Sequence, residues 1–254
     1  MSRCNLSQLA WVLAAVCGAV LPSWAVAGSL RVGPTRLDLS ARHPVAVLEV
    51  QNTADSATLA QVDTFFWTQR GGGDLLEPTT ELVATPLVLN LAPGETHLVR
   101  VGLREPNRSP VERSYRLFVR EVAPASVPGS GLRFAVRIGV PVFALPADMR
   151  PGGAMPELSW RWIPDIEGCA SVQISNPSER HDRVLSAQML SRAGEVLWQA
   201  SEPAYLLPGS RRLLLPALCA PSLKESATLR LVMEGYTVNL AVQTSSLVVD
   251  AQSP

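Results

Sequence analysis

The 254-residue chain carries 22 basic and 22 acidic side chains, a balance that excludes a basic nucleic-acid footprint as a bulk property. Hydrophobic residues make up 47% and charged residues 17%, which excludes wholesale disorder and suffices for a sizeable core. The 21 prolines and 17 glycines are too many breakers for a helical protein and point to many short strands, while the 4 cysteines are too few for a disulfide scaffold.

The first segment reads as an address. Arg3 is the only charge before Arg31, and residues 9–21 form an apolar run too short to span a bilayer. Ala25-Val26-Ala27 follows, so the pattern is a cleaved secretory signal over 1–27. The mature chain is then expected to be soluble outside the cytoplasm, with no membrane insertion. Cleavage removes Cys4 and Cys17 and leaves Cys169 and Cys219, an even number in an oxidising compartment.

The next stretch reads as strands at short intervals. Residues 30–39 form a first strand broken at Gly33-Pro34, and 45–52 alternate clearly. Residues 58–68 are β-branched and aromatic and end at Gly71-Gly72-Gly73, a hairpin tip. Residues 83–91 lead to the turn Ala92-Pro93-Gly94-Glu95. Strands over 96–103, 114–122 and 132–145 follow. About seven strands in roughly 120 residues, with turn signals spaced about 8–12 residues apart, is the spacing of a β-sandwich.

Residues 146–156 hold three prolines and two glycines, a semi-rigid spacer and the best domain boundary. Further strand patterns at 158–163, 169–176, 184–190, 196–200, 211–218, 227–233 and 236–242 predict a second, smaller sandwich. Residues 184–193 also fit a helix by periodicity, but two sandwiches leave little room for one. The fold class is therefore all-β, with a signal peptide at 1–27, domains at 28–146 and 157–254, and a linker at 147–156.

Catalytic chemistry is not evident. His43, His97 and His181 are not at metal-ligand spacing, and Cys169 and Cys219 have no companion ligands, so neither a metal nor a cofactor is expected. No nucleophile elbow, zinc-protease motif or P-loop occurs, and an enzyme is not expected.

Several runs together resemble the periplasmic pilus- and fimbria-assembly chaperones of the chaperone–usher systems. These are Pro34-Thr35-Arg36, then Ala84-Thr85-Pro86-Leu87 followed by Leu91-Ala92-Pro93-Gly94-Glu95 and Leu98-Val99-Arg100-Val101. Tyr115-Arg116-Leu117-Phe118-Val119-Arg120-Glu121-Val122 and the long strand ending Pro141-Val142-Phe143 complete the set. Each run alone is weak; their order and spacing are specific. The resemblance covers about residues 29–146. In the second domain it rests on Ile174-Ser175-Asn176-Pro177, and the Val140-Pro141-Val142-Phe143 ending is similar to archaic-type members.

The resemblance implies two immunoglobulin-like sandwiches in a bent arrangement with a cleft between them. It implies a chaperone that completes pilus subunits by donating a strand, delivers them to an outer-membrane usher, and caps itself as a homo-oligomer when free. Leu132, Phe134, Val136 and Ile138 share one face by the period of two and are the candidate donor residues. Val140 and Val142, further along that face, read as core. Arg133 and Arg137 on the other face suit an unpaired edge.

Arg36 is the candidate anchor for a subunit's C-terminal carboxylate, since a guanidinium can hold a carboxylate through two parallel bonds. The second anchor position aligns with Pro141. Arg137 is the nearest basic residue on the same face, four residues or roughly 13 Å away, and is taken as the anchor, with Arg116 and Arg120 as alternatives. Arg100 and Glu112 resemble a pair that locks the domains through an acid of the second domain. Cys169 and Cys219 fall on strands that neighbour each other in such a sheet, which implies a disulfide.

The competing reading is a secreted β-sandwich that binds carbohydrate or a surface, suggested by Trp67, Trp160, Trp162 and Trp198. Only Trp160 and Trp162 sit close together, near the linker, where packing is the better explanation.

Overall fold

The computed structural model describes residues 30–122, 135–146, 158–164, 169–201, 203–213, 218–219 and 226–241. The expected signal segment 1–27, the linker 147–156 and the donor residues Leu132 and Phe134 lie outside them. All regular structure among the described residues is β-strand, and no helix there is long and apolar enough to cross a membrane.

The N-terminal part holds ten strands: β1 (Leu30–Gly33), β2 (Leu37–Leu39), β3 (Val45–Asn52), β4 (Thr58–Arg70), β5 (Gly73–Pro78), β6 (Leu82–Thr85), β7 (Val88–Leu91), β8 (Thr96–Leu103), β9 (Arg113–Val122) and β10 (Arg137–Ala144). They form a four-stranded sheet, β1-β3-β8-β6, and a six-stranded sheet, β2-β10-β9-β4-β5 with β7 on β4. The first strand therefore switches sheets at Gly33-Pro34, where the expected break falls.

Period-two alternation builds the core between these sheets. Leu48 and Val50 of β3, Val99 and Val101 of β8, Leu117 and Val119 of β9 and Val140 and Val142 of β10 are all buried. Burying each such side chain contributes about 1.5–3 kcal/mol, before the ordering entropy that opposes it. The polar loops are tied by buried asparagines. Asn52 donates to the carbonyls of Ser56, Leu91 and Ala92 at 2.8–3.1 Å and accepts from the Ala54 N–H at 3.0 Å. Gly71 and Gly72 adopt φ of 61° and 85°, the left-handed conformation the β4–β5 hairpin requires.

The C-terminal part adds β11 (Ser159–Pro164), β12 (Cys169–Ser175), β13 (Asp182–Ser191), β14 (Val196–Ala200), β15 (Ala204–Leu206), β16 (Arg211–Leu213), β17 (Leu218–Cys219), β18 (Ser226–Met233) and β19 (Thr237–Ala241). One sheet orders β11-β12-β16 with β17 on β12, and the other β14-β13-β18-β19 with β15 on β13. The segment that also fits a helix is β13, because its Val184, Ala187 and Met189, brought into step by a register shift after Val184, meet Leu229, Leu231 and Met233 of β18 in a second core. β5 and β15 were not expected: β5 is almost wholly exposed and β15 is three residues long.

Candidate functional site: a strand edge leading to a basic cleft

β10 has two halves. Val142–Ala144 is held on both sides, parallel to β2 and antiparallel to β9. From Arg137 to Pro141 it pairs only with β9, so among the described residues its other edge is open. Val140 and Val142 are core, as expected, Ile138 packs half-buried against that core, and Val136 is half-buried just before the strand begins. The Val136 carbonyl accepts from the Glu121 N–H at 2.9 Å, which carries the pairing with β9 one step beyond the strand.

The other face of β10 carries Arg137, Gly139 and Pro141. Gly139 faces Phe118, whose ring would lie 2.9 Å from an added Cβ, so any other residue here would have to displace that ring. Arg137 has its guanidinium carbon 3.7 Å from the Phe118 centroid, and Phe118 meets Phe65 edge-on.

The open edge runs into a cavity of about 400 Å³ between the two sandwiches. Arg36, Arg116 and Arg183 line it together with Pro141, Tyr205 and Glu234. Arg36, just before β2, pairs through Nε with Asp38 at 3.2 Å and through Nη1 with Glu234 of the second sandwich at 3.1 Å. Arg116 on β9 is directly opposite Pro141 on β10. Its guanidinium carbon lies 4.0 Å from the Trp67 centroid, and burial pushes its pKa below the ordinary arginine value, with Asp74 opposing that shift.

Arg137 is not among the residues that line this cavity. Arg116, one of the alternatives, is; Arg120, the other, is tied to Asp63 at 2.9 Å and Gln61 at 2.7 Å. Sequence spacing pointed to Arg137 because it is the nearest cation along β10. Across the sheet, Arg116 is nearer to Pro141, since opposed residues sit only about 4.5–5.5 Å apart.

The domain lock also differs from expectation. Arg100 is exposed on β8, between Val47 and Thr85, and forms no ion pair with Glu112. Glu112, with its carboxylate fully buried, accepts instead from His181 of the second sandwich, from Nδ1 at 2.7 Å and from the backbone N–H at 3.2 Å. The Glu112 N–H donates to the Glu179 carbonyl at 3.0 Å. His181 stacks on Phe143 at 3.5 Å with an interplanar angle of 7°.

Trp67 and Phe143 project from the outer side of the six-stranded sheet yet are 1% and 0% exposed, because Leu207 and Tyr205 of the second sandwich cover them. Gln69 extends this contact like a strand residue, donating to the Tyr205 carbonyl at 2.9 Å and accepting from the Leu207 N–H at 3.0 Å. Arg212 pairs with Asp74 at 3.0 Å on the same flank. Gln69, His181, Tyr205 and Leu207 were not anticipated: each meets a partner more than sixty residues away, and no local pattern marks them. Trp160 packs on the second core.

The backbone sets Cys169 directly opposite Cys219 in the β12–β17 pair. Opposed residues of antiparallel strands have the Cα separation that a disulfide spans.

The family model for the N-terminal domain of pili and flagellar-assembly chaperones matches residues 29–150. No curated protein sequence matches the chain. Among solved structures, the chain is similar to the archaic chaperone–usher Csu pilus pre-assembly complex of chaperone CsuC and tip adhesion subunit CsuE from Acinetobacter baumannii, with TM-score 0.68, 19% identity and coverage of 84% of this chain and 98% of that one. The Pseudomonas aeruginosa chaperone CupB2 gives TM-score 0.57 and 21% identity, covering 84% of this chain and all of the other. The Salmonella enterica SafB chaperone, in complex with SafA pilin, gives TM-score 0.58 and 15% identity, covering 85% and 97%. These likenesses extend over both sandwiches and establish the fold. Residues 29–150 thus match the N-terminal domain of the pili and flagellar-assembly chaperones, and both sandwiches share the fold of the solved chaperones.

Proposed function

We propose that this chain is a periplasmic chaperone that stabilises pilus or fimbrial subunits by lending them the open edge of β10 and delivers them to an outer-membrane usher. The observation that carries the reading is the run of that edge, Arg137 to Pro141, into a cavity lined by guanidinium groups. An added strand gains main-chain hydrogen bonds along such an edge and places its alternate side chains in pockets. The apolar face that starts at Leu132 and Phe134 and continues through Val136 and Ile138 is the donor, and the cavity receives the subunit's chain end.

Arg36 and Arg116 are the two anchors of that carboxylate, with Arg116 in the place first given to Arg137. The second sandwich, from about residue 157, closes the cleft, with Glu112 and His181 as the lock. Residues 1–27 serve as a cleaved signal, and Cys169 and Cys219 as a disulfide. Without a subunit the same edge is open to a second copy of the chain. Delivery to an usher rests on the family.

The test is co-expression in the periplasm with small secreted subunits encoded near the gene. Recovery of a one-to-one complex, with the subunit degraded when the chaperone is omitted, is the expected outcome. Glycan binding by the chaperone alone, with no subunit retained, would support the carbohydrate-binding alternative instead.

A further inference from the structure

We propose that Arg183 of the second sandwich is a third cation of the carboxylate site, so that both domains grip a subunit's chain end. The inference rests on the strand-donation reading above and adds a residue from the domain that the reading leaves as a wall.

The three arginines of the cavity are not equivalent. Arg36 already has two carboxylate partners, Asp38 and Glu234. Arg116 and Arg183 form no ion pair among the described residues. Each instead lies over an aromatic ring: Arg116 over Trp67 at 4.0 Å and Arg183 over Tyr205 at 5.2 Å. Trp67 and Tyr205 meet edge to face at 5.5 Å across the domain boundary. The order Arg116, Trp67, Tyr205, Arg183 therefore runs from one sandwich to the other with a guanidinium at each end.

A ring holds a guanidinium by its flat face and leaves the in-plane N–H fork free, and that fork is the part that matches a carboxylate. The Arg183 Nε is also buried with no hydrogen-bond partner. A shielded cation without a counter-charge is costly, and a carboxylate brought to it offsets that cost. Glu234 is the one acid among the residues lining the cavity, and it is engaged by Arg36. The site therefore favours an incoming anion, and a peptide α-carboxylate at the end of a strand laid along β10 reaches it.

The test measures binding of a short synthetic peptide of alternating valine and threonine, with a free C-terminal carboxylate or as the C-terminal amide, to the full mature chain. The wild-type protein prefers the acid, and Arg183→Gln lowers that preference about tenfold, in line with loss of one charge-assisted contact, without changing amide binding. Arg183→Lys keeps the charge but not the planar fork, and so retains only part of the preference, between wild type and Arg183→Gln. If Arg183→Gln retains the wild-type preference while Arg116→Gln loses it, Arg183 is idle and the proposal fails alone. If the wild-type protein does not distinguish acid from amide, the proposal and the anchor reading fall together.

Discussion

Arg116 on β9 and Pro141 on β10 lie directly opposite each other in antiparallel register. Proline has no N–H to donate and carries no charge, so β10 supplies no cation at this point of its edge. The neighbouring strand supplies it at the same level, with the guanidinium held flat over Trp67.

Arg116→Gln is therefore expected to fold normally and to lose subunit capture by about ten- to a hundredfold, the scale of one or two charge-assisted hydrogen bonds. Arg137→Gln, which removes a side chain stacked on Phe118, is expected to retain most of the binding. The amount of subunit co-purified from the periplasm compares the two. Equal losses would return the anchor to β10.

The two halves of the apolar face on β10 should respond oppositely to a charge. Val140 is 1% exposed, so Val140→Asp buries an unpaired carboxylate in the chaperone's own core, at several kcal/mol, and the free protein should not fold. Val136 is half-buried at the strand entrance, so Val136→Asp should leave the free protein's melting midpoint nearly unchanged and abolish subunit binding. A collapse of the Val136→Asp protein itself would assign that face to the core.

His181→Ala leaves the buried Glu112 carboxylate with only the backbone N–H of residue 181 and removes the ring stacked on Phe143. Breaking a buried pair on one side costs about 3–5 kcal/mol, or roughly 6–20 °C of melting midpoint for a chain of this size. Adding Glu112→Gln to that variant should recover part of the loss, because the charge left stranded is gone. A double variant no more stable than His181→Ala would show that the stacking, not the charge, holds the domains.

Cys169 and Cys219 are expected to be oxidised in the mature protein, because the backbone sets them opposite each other and the proposed periplasmic location favours the bridge. Mass measurement after alkylation of the unfolded protein without reductant checks this. Addition of two alkyl groups would contradict it.

The turn after β7 should confer an acid sensitivity. The Ala92 N–H donates to Glu95 at 2.7 Å, and this contact first, then His97 at 2.7 Å, holds the Glu95 pKa below its ordinary 4.5. A lowered carboxylate pKa adds stability above the unfolded value, and that stability is lost as pH falls through the folded one. Glu95→Gln should therefore flatten the fall in stability below about pH 4.5 and change little at neutral pH. Identical pH profiles for the two proteins would remove this contribution.

Local chemistry alone determined most of the strands. The alternation of 45–52 and 96–103, the breaks at Gly33-Pro34 and Gly71-Gly72-Gly73 and the turn at Pro93-Gly94 are written within a few residues of where they act, since side-chain period and backbone conformation are local properties. The exposed β5 and the short β15 have no such pattern, because their pairing is imposed by β4 and β13. The proposed site was legible only as far as it followed one strand: the proposed donor face and Arg36 lie on single strands, whereas distance along β10 favoured Arg137. Register between strands brought Arg116 to Pro141, and the packing of the second sandwich buried Trp67 and Phe143, paired Glu112 with His181 and carried Arg183 to the cavity. Those relationships join residues separated by tens to more than a hundred positions, and hydrogen-bond register and interdomain packing settle them only once the chain has folded.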